Sequence, residues 1–271
     1  MPRTIVVTGA SSGVGLAAAK QFAARGDQVV VVGRDPQRLA EAVTQVRAAG
    51  DGREPGQFRA DFESLDEVRA LAAHLLDAYG KIDVLANNAG GMVPGYRRTS
   101  DGFEATIQGN HLGPFLLTNL LYERLRGGRV VNTASDAHRR SNLDPVDLVS
   151  SPAKFGSWRS YGAGKAANIL FTAEAARRWP EIFSVSFHPG VVRTNFGAGT
   201  PARLLYRVAG PFLVSPEKAG DLLVWLATAP ETELVDGGYY VGHKVVRPAK
   251  DAADPAIAAA LWDASAKAVS R

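Results

Sequence analysis

Tyr161 and Lys165, four positions apart, form the pattern with the clearest chemical use in this sequence. On a helix, residues at this interval lie on the same face, one turn apart. A phenol normally keeps its proton to about pH 10, and a nearby ammonium group favours the phenolate. The hydroxyl of Ser135, upstream in the chain, can hold a substrate oxygen against that phenol. Together the three side chains predict proton transfer to or from a carbonyl or alcohol oxygen.

A glycine-rich turn near the amino terminus predicts the site of a dinucleotide that would carry the hydride. A short apolar run ends at Thr8, and an amphipathic helical stretch follows the turn. Glycines let the backbone approach a pyrophosphate closely, and a helix N-terminus stabilises its charge. The spacing, G-x-x-x-G-x-G, differs from G-x-G-x-x-G, and a plain tight turn is the alternative interpretation. The residues of the predicted phosphate loop are Gly9, Ser11, Ser12, Gly13, Val14 and Gly15.

The end of the second predicted strand indicates which dinucleotide is used. An NAD site usually has an acid there, about 20 residues after the glycine turn, to bind the ribose 2′-hydroxyl. Gly33 occupies that position, and Arg34 follows it, where a guanidinium can pair with a 2′-phosphate. Asp35, directly before Pro36, is better interpreted as the cap of the next helix. We therefore predict NADP(H) over NAD(H), with a solvated surface arginine as the alternative for Arg34.

Composition argues against several other chemistries. The chain has 271 residues, 46% of them hydrophobic, which is enough to bury a substantial core within one domain. It contains no cysteine, which excludes disulfides, zinc thiolate sites and thiol catalysis. The formal charge of +4 is scattered along the chain, so we expect no nucleic-acid binding, and no histidine spacing indicates a metal site. We also expect no membrane span, no signal peptide and a cytoplasmic location.

Short apolar runs alternate with amphipathic helical stretches along the chain, a pattern typical of βαβ units in a parallel sheet. The continuous valine and isoleucine character of these runs predicts strands that are covered by helices on both faces. We therefore predict an α/β fold, a Rossmann-like doubly wound parallel sheet flanked by helices, in a single domain over residues 1–271. The predicted strands are residues 4–8, 28–32, 57–60, 82–86, 129–133, 183–188 and 239–241.

Several motifs in order along the chain resemble those of the short-chain dehydrogenase/reductase family. They are Thr8-Gly9-x-x-x-Gly13-x-Gly15, Asn87-Asn88-Ala89-Gly90, Asn110, Ser135, Tyr161-x-x-x-Lys165 and Pro189-Gly190-x-x-x-Thr194. The resemblance extends over nearly the whole chain. Residues 109–117 and the stretch from 238 to 265 look most like the branch of retinol dehydrogenases and carbonyl reductases. It implies an NADP(H)-dependent enzyme that interconverts a ketone or aldehyde and an alcohol.

The resemblance also implies a role for each motif residue. Ser135 would bind the substrate oxygen, Tyr161 would exchange its proton, and Lys165 would favour the phenolate and hold the nicotinamide ribose. Asn110, within a long helix, would organise a water that links Lys165 to solvent; the alternative is a polar residue satisfied inside its helix. The implied cofactor contacts that follow the later strands are Asp61, Phe62, Asn88, Ala89, Gly90, Tyr161, Lys165, Pro189, Gly190, Val192 and Thr194.

Some of these positions have a structural interpretation of equal or greater weight. Asp61 is as well explained as a helix-entry cap beside Ser64 as by a contact to adenine. Asn87 is expected to brace the central sheet rather than touch a ligand. Gly162 and Gly164, between the tyrosine and the lysine, are expected to leave room for the cofactor against the helix.

Two segments are expected to form the substrate side of the site, residues 138–159 and 195–214. The first makes the interval from Ser135 to Tyr161 longer than is commonest in the family. It contains His138, which we expect to be a solvated loop residue, with a contact to an anionic substrate group as the less favoured interpretation. The second mixes glycine and proline with large apolar residues, as in a mobile lid, which favours a lipophilic or aromatic carbonyl or alcohol substrate. The same composition would also suit simple helix packing. The assembly we expect is a homodimer, although no feature of the sequence specifies the oligomeric state.

Two other functions are compatible with the same motifs. A non-catalytic NADP(H)-binding regulator could keep this fold, although such proteins usually lose the tyrosine or lysine that this chain retains. A reductase of a conjugated C=C bond could use the same tyrosine and lysine. The sequence does not identify the substrate, the physiological direction or the stereochemistry.

Overall fold

One eight-stranded sheet organises the protein, which we describe from a computed structural model over residues 2–141, 143–149, 152–153, 155–192 and 213–270. The strands are β1 (Thr4–Thr8), β2 (Gln28–Gly33), β3 (Gly56–Arg59), β4 (Val84–Asn87), β5 (Gly128–Thr133), β6 (Ile182–His188), β7 (Tyr239–Val241) and β8 (Lys244–Val245). Their order across the sheet is β3-β2-β1-β4-β5-β6-β7-β8. Neighbouring strands are parallel except β7 and β8, which are antiparallel. The predicted Rossmann-like parallel sheet is therefore confirmed; the short antiparallel strand β8 was not predicted.

Helices cover both faces of this sheet. They are α1 (Gly13–Ala24), α2 (Pro36–Ala49), α3 (Leu65–Ala78), α4 (Ala105–Ile107), α5 (Gly113–Leu120), α6 (Tyr122–Leu125), α7 (Ser157–Arg178), α8 (Pro216–Thr228) and α9 (Pro255–Val269). Helices α3, α5, α7 and α9 pack on one face and α1, α2 and α8 on the other. Alternate residues of β2 supply the two cores: Val30 and Val32 face the first group, and Val29 and Val31 face the second. Burial on both faces explains why this strand is apolar at every position.

The predicted cap at Asp35 is formed, and a second cap lies at the start of α3. The Asp35 carboxylate accepts a hydrogen bond of 2.9 Å from the Arg38 amide, and Pro36 is the first residue of α2. Ser64 accepts from the Glu67 amide at 3.3 Å, as a capping box requires. The reciprocal bond differs, because the Glu67 carboxylate accepts from the Asp61 amide at 2.7 Å. Glu67 thereby fastens the end of β3 to α3.

Among the described residues, none of the helices is at once long enough and apolar enough to cross a bilayer. The functional side chains concentrate instead at the carboxyl edge of the sheet. Adjacent strands β1 and β4 are not consecutive in the chain, so the connections from β1 and from β4 leave in opposite directions. In open α/β sheets such a switch point opens the crevice in which ligands bind.

Candidate active site

A cavity of about 760 Å³ occupies the carboxyl edge of the sheet at this switch point. Its volume is within the range of pockets that hold cofactors and small ligands. Most of the predicted site residues line it, namely Gly9, Ser11, Ser12, Gly13, Val14, Arg34, Asp61, Phe62, Asn88, Ala89, Gly90, Asn110, Ser135, Tyr161, Lys165, Pro189, Gly190 and Val192. Gly15 is buried in the first turn of α1, behind the loop. Thr194 and most of the 195–214 segment lie outside the described residues.

The glycine turn has a backbone that only glycine readily adopts. Gly9 and Gly13 have positive φ angles of 64° and 56°. A Cβ placed on Gly9 would lie 2.8 Å from the Cα of Ala89, and one on Gly15 would lie 2.5 Å from the carbonyl oxygen of Gly9. These glycines therefore let the turn fold onto the start of α1 and onto the loop after β4. The N-terminus of α1 is directed into the cavity beside Ser12 and Gly13.

Asn88 connects the glycine turn to the loop after β4. Its side-chain amide donates to the carbonyl oxygen of Thr8 at 3.0 Å. The Thr8 hydroxyl accepts from the backbone amides of Asn88 and Ala89, at 3.0 and 2.9 Å. Thr133 donates to the Asn88 side-chain oxygen at 3.4 Å. Asn88 is therefore a brace for the cavity floor as well as a lining residue.

Asn87 braces the sheet, as predicted. Its side-chain amide donates to Thr118 and to Asn132, each at 3.0 Å. Asn87 and Asn132 are register partners on β4 and β5, which is why their side chains meet. Asn132 in turn donates to Thr172 at 2.9 Å. This buried chain of hydrogen bonds ties β4 and β5 to helices on that face of the sheet.

Arginine dominates the β2 end of the cavity. A Cβ on Gly33 would lie 2.9 Å from the Cβ of Ser11, so an acidic side chain would not fit there without a shift. Arg34 is 60% exposed, and its guanidinium lies 3.8 Å from Asp61 and 3.5 Å from Glu63. Arg38, in the first turn of α2, also lines the cavity and lies 3.6 Å from Asp35. Arg38 was not predicted as a site residue. Its position three residues after the Asp35 cap places it in the first turn of α2, in the same cavity as Arg34.

Both interpretations of Asp61 hold geometrically. Its carboxylate accepts from the Glu63 amide at 3.0 Å, a turn before α3. The same residue lines the cavity beside Phe62. Asp35 is committed to its cap, and its backbone hydrogen bond from Arg38 is the main cause that lowers its pKa. Because the carboxylate of Asp35 is exposed and already caps α2, it is poorly placed to bind a ribose hydroxyl.

Lys165 is a buried cation at the centre of the site. It is 3% exposed, and its ammonium group donates to the Thr133 carbonyl oxygen at 2.9 Å. The ammonium nitrogen lies 5.5 Å from the centre of the Tyr161 ring. Burial lowers the pKa of Lys165 to about 8. The helix therefore presents a weakly solvated ammonium beside a phenol, as the four-residue spacing predicts.

Asn110 lies in a π-helical segment, Gln108–Leu112, between α4 and α5. Asn110 therefore lies within a long continuous helical stretch, as expected, but at a π turn that the sequence did not predict. The Asn110 side-chain amide donates to the carbonyl oxygens of Gly91 and Thr106, each at 2.8 Å. Its buried Oδ1 has no hydrogen-bond partner among the described residues. Irregular π turns are frequent at functional sites, because they redirect single side chains.

The side chains of Asn110 and Lys165 both lie close to the backbone of Gly90. Its φ is 147°, and a Cβ placed there would lie 2.4 Å from Asn110 Oδ1 and 3.4 Å from Lys165 Nζ. Because Gly90 has no side chain, Asn110 and Lys165 can both approach its backbone. Any other residue would push the asparagine or the lysine away.

Ser135 begins a 3-10 helix, Asp136–Arg140, at the end of β5. Its hydroxyl oxygen accepts from the Ala137 amide at 3.2 Å. This turn packs against α7 beside Tyr161: a Cβ on Gly162 would lie 2.6 Å from the Ala137 carbonyl oxygen. On the other side of the helix, a Cβ on Gly164 would lie 3.0 Å from Asn110 Cβ. The two glycines thus make room for neighbouring protein, not for a cofactor, which corrects the prediction.

The expectation of a solvated loop was also wrong for His138, which is 2% exposed. Its Nδ1 lies 2.7 Å from the Ser135 carbonyl oxygen, and its Nε2 accepts from the Ala249 amide at 3.1 Å. Burial is the main cause that lowers its pKa. A neutral imidazole thus anchors the turn that carries Ser135. The signal was unreadable in sequence because Ala249 is remote in the chain.

The other histidines near the site also have structural partners. His111 is buried, its Nε2 lies 2.8 Å from Ser265 Oγ, and burial lowers its pKa to about 3. His188 ends β6 and lines the cavity, and its Nδ1 accepts from the Asp136 amide at 3.4 Å. Within the described part of the chain, no group of three metal-ligating side chains is close enough to hold a metal ion.

Two residues of the predicted substrate segment 138–159, Arg140 and Trp158, line the cavity. Further lining residues that were not predicted include Met92, Val93, Ala137 and Val191. The indole of Trp158 is 49% exposed and stands edge-on to the Tyr161 ring, at 84° and 6.4 Å between ring centres. Val192 and Val214 form a parallel bridge, so the chain positions on either side of residues 193–212 are adjacent at this rim.

The cavity suits a nicotinamide dinucleotide on three observations. The glycine turn and a helix N-terminus offer backbone amides to a pyrophosphate at the β1 end. Arginines stand at the β2 end, where an adenosine ribose follows in this class of fold. The buried ammonium of Lys165 and the unpartnered Oδ1 of Asn110 meet at Gly90, near the reactive end.

Comparison with known proteins agrees with this geometry. The sequence model of the family described as short chain dehydrogenase matches residues 3–203. A protein of Streptomyces sp. (strain C5), named as a candidate daunorubicin C-13 ketoreductase, is 50% identical over 268 residues, 98% of this chain and 92% of the relative. Retinol dehydrogenase 13 of Homo sapiens is 34% identical over 279 residues, 98% of this chain and 84% of that protein. A crystal structure of an uncharacterised protein from Mycobacterium paratuberculosis superposes with a TM-score of 0.81 and 31% identity, covering 99% of this chain and 93% of its own.

Proposed function

The chain belongs to the short-chain dehydrogenase family, and from that premise we propose that it is an NADP(H)-dependent oxidoreductase that interconverts a ketone or aldehyde and an alcohol. One observation carries the proposal. The buried ammonium of Lys165 lies 5.5 Å from the Tyr161 ring centre, in a cavity that both residues share with Ser135. A phenol beside a desolvated cation is suited to releasing and regaining a proton near neutral pH.

In the reductive direction, negative charge develops on the carbonyl oxygen, and side chains of the site stabilise it. The residues of the cavity would hold a nicotinamide cofactor, which would supply a hydride for the carbonyl carbon. Ser135 donates a hydrogen bond to the carbonyl oxygen, and the Tyr161 hydroxyl transfers its proton to that oxygen. The resulting phenolate is stabilised by the Lys165 ammonium. In the oxidative direction Tyr161 accepts the alcohol proton by the same path.

Asn110 is proposed to return the proton from solvent. Its Oδ1 is buried and has no partner among the described residues, so it can accept a hydrogen bond from a water. Such a water would lie near Lys165, because both side chains converge on Gly90. The π turn holds the asparagine in this position through its two amide bonds.

The preference for NADP(H) over NAD(H) rests on the β2 end of the cavity. Arg34 and Arg38 both line it, and Gly33 leaves no room for the acid that would bind a ribose 2′-hydroxyl. Charge-assisted hydrogen bonds from two guanidinium groups favour a 2′-phosphate. The nearby Asp61 and Glu63 hold Arg34 over the cavity.

A lipophilic or aromatic substrate is favoured by the lining of the other end. Trp158 offers an aromatic surface beside Tyr161, and Met92 and Val93 add apolar surface to the same cavity. The similarity to a candidate daunorubicin C-13 ketoreductase and to retinol dehydrogenases supports a ketone or alcohol substrate. Among smaller candidates, an aromatic ketone is the simplest that these walls would accept.

Consumption of NADPH by the purified protein tests the proposal. A panel of aromatic ketones, aldehydes and conjugated enones is offered, and the products are identified by mass spectrometry. We expect alcohols as products, and we expect Tyr161→Phe to lose nearly all turnover while still binding NADPH. Tyr122→Phe is the control, because it loses a hydroxyl contact to Glu181 outside the cavity. Saturated ketones as products would indicate C=C reduction, and cofactor binding without turnover would indicate a regulator.

Three further expectations remain predictions. These are a single domain over residues 1–271, a cytoplasmic protein without nucleic-acid binding, and a homodimer. Size-exclusion chromatography with light scattering, together with limited proteolysis, measures assembly and domain organisation directly.

A further inference from the structure

Two consecutive arginines, Arg139 and Arg140, have different surroundings in the 3-10 helix after Ser135. Side chains three apart lie on one side of such a helix. Asp136 and Arg139 accordingly pair with each other at 3.7 Å. Ala137 and Arg140 share the next side, and both line the cavity. Of the two cations, only Arg140 is directed to the site.

The turn that carries Arg140 is held rigidly beside the catalytic residues. His138 anchors it from within through Ser135 and Ala249. Its ring also packs edge-on against Tyr239, 5.1 Å between centres. The Ala137 carbonyl packs against Gly162, the residue after Tyr161. The backbone of Arg140 is therefore held beside the cavity by the scaffold that carries Ser135, and the exposed side chain of Arg140 lines the cavity.

Although Asp136 lines the same cavity, Arg140 has no acidic partner of its own among the described residues. It makes no hydrogen bond, ion pair or ring contact with any described residue. The nearest acid in the turn, Asp136, already interacts with Arg139 and accepts from the Tyr239 hydroxyl at 3.1 Å. A cation that lines a pocket without an acidic partner attracts an anionic ligand group.

This charge is separate from the arginines assigned to the cofactor. Arg34 and Arg38 follow β2, whereas Arg140 follows β5 and lies with Ser135, Tyr161 and Trp158. Phosphate groups bound at the glycine turn and at β2 therefore leave Arg140 for a different ligand. A guanidinium binds carboxylates and phenolates through paired N–H donors, and the Trp158 indole, which lines the same cavity, suits a flat ring.

We propose that Arg140 is a specificity-determining residue, which selects planar aromatic carbonyl substrates that carry an anionic group, a carboxylate or an ionised phenol. This inference rests on the proposed function, because it names the substrate class of that same site. Arg140 would contact the substrate and take no part in hydride or proton transfer. Its loss should therefore raise KM for anionic substrates and leave kcat nearly unchanged.

A pair of probes that differ only in charge tests the proposal: 6-acetyl-2-naphthoate and its methyl ester. The ratio of their kcat/KM values with NADPH is measured for the wild type, Arg140→Met and Arg140→Lys. We expect the wild type to prefer the carboxylate about fivefold to tenfold, Arg140→Met to lose that preference, and Arg140→Lys to keep part of it. Arg139→Met is the matched control, one residue away with the same change of charge, and should keep the preference.

Calorimetric binding of the corresponding alcohols to the protein with NADP+ separates this inference from the proposed function. If no probe is turned over but the carboxylate alcohol binds more tightly and only Arg140→Met removes the difference, the proposed function fails and Arg140 selectivity stands. Equal affinity or equal kcat/KM for the two probes in the wild type overturns the inference. So does an equal loss of preference in Arg139→Met, which would indicate overall charge, and so does failure of both alcohols to bind.

Discussion

The ammonium nitrogen of Lys165 lies 5.5 Å from the centre of the Tyr161 ring, and protein surrounds it almost completely. This burial disfavours the charge that the proposed chemistry requires. The pKa of Lys165 is accordingly lowered to about 8 by desolvation. Below about pH 8 the folded protein contains the ammonium, and above it the neutral amine.

The free energy of unfolding should depend on pH because Lys165 is buried. In the unfolded chain Lys165 keeps its proton up to about pH 10.4, so the unfolded state binds more protons than the folded state between the two pKa values. The free energy of unfolding of the wild type should therefore rise with pH, relative to Lys165→Met, by about 2 to 3 kcal/mol between pH 8 and pH 10.5. Urea titrations of both proteins across this range measure the difference. A constant or falling difference would contradict a buried ammonium.

Gly90→Ala should disrupt the site more than its single methyl group suggests. The added Cβ would meet Asn110 Oδ1 at 2.4 Å, at a φ of 147° that alanine rarely adopts. We expect a loss of about 1 to 3 kcal/mol in unfolding free energy and weaker NADPH binding. Thermal unfolding and calorimetric titration with NADPH measure the two effects. Gly80→Ala is the control, because its Cβ would meet no atom within 4 Å; similar losses in both variants would refute the role of the close approach.

Cofactor preference should depend on the two arginines of the β2 end. Arg34→Gln should lower kcat/KM for NADPH about tenfold, and the double variant with Arg38→Gln should lower it about 100-fold, since each removes a charge-assisted hydrogen bond. The values for NADH should change by less than about threefold, because NADH has no 2′-phosphate. Arg47→Gln, also on α2 but paired with Glu54, serves as the control. A wild type that prefers NADH would overturn the prediction at the outset.

Acid should weaken the fold through His111. This imidazole is buried, and burial lowers its pKa to about 3, so the folded protein keeps it neutral while the unfolded chain binds a proton below about pH 6.5. Stability from this residue is fully present above pH 6.5 and is lost as the pH falls. Relative to His111→Gln, the wild type should lose about 1 to 2 kcal/mol of unfolding free energy between pH 6.5 and pH 5.

Ser265→Ala provides the control for His111, because it removes the hydroxyl partner and leaves the imidazole. This variant should be less stable than the wild type by about 1 kcal/mol at every pH, with the same dependence on pH. Urea unfolding at several pH values distinguishes the two changes. If His111→Gln had the pH dependence of the wild type, the imidazole would not be the titrating group.

Much of this site could be predicted because its signals are local. The Tyr161–Lys165 spacing sets a shared helix face, and a cap such as Asp35 bonds to an amide three residues away. The alternation of apolar runs and amphipathic stretches similarly predicts a parallel sheet, since each strand must be covered on both faces. Residues at strand ends then converge because all the carboxyl ends lie at one edge.

The residues that were interpreted wrongly depend on partners far along the chain. His138 is polar and flanked by charges, yet it is buried because Ala249 and Tyr239 close over it. Gly162 and Gly164 have the small size expected beside a cofactor, but that space is filled by the Ser135 turn and by Asn110. Nothing within a few residues of these positions specifies such contacts.

The amino-acid sequence by itself predicted the chemistry, through a tyrosine, a lysine and a serine in a recognisable order, and determined the α/β alternation that carries them. Only the tertiary structure decided which of two adjacent arginines lines the cavity, which histidines are buried, and how a π turn aims Asn110 at Gly90. The reason is that residue type and spacing define what a side chain can do within one element. Packing between elements remote in the chain defines what it faces, and hence its charge state and its partner.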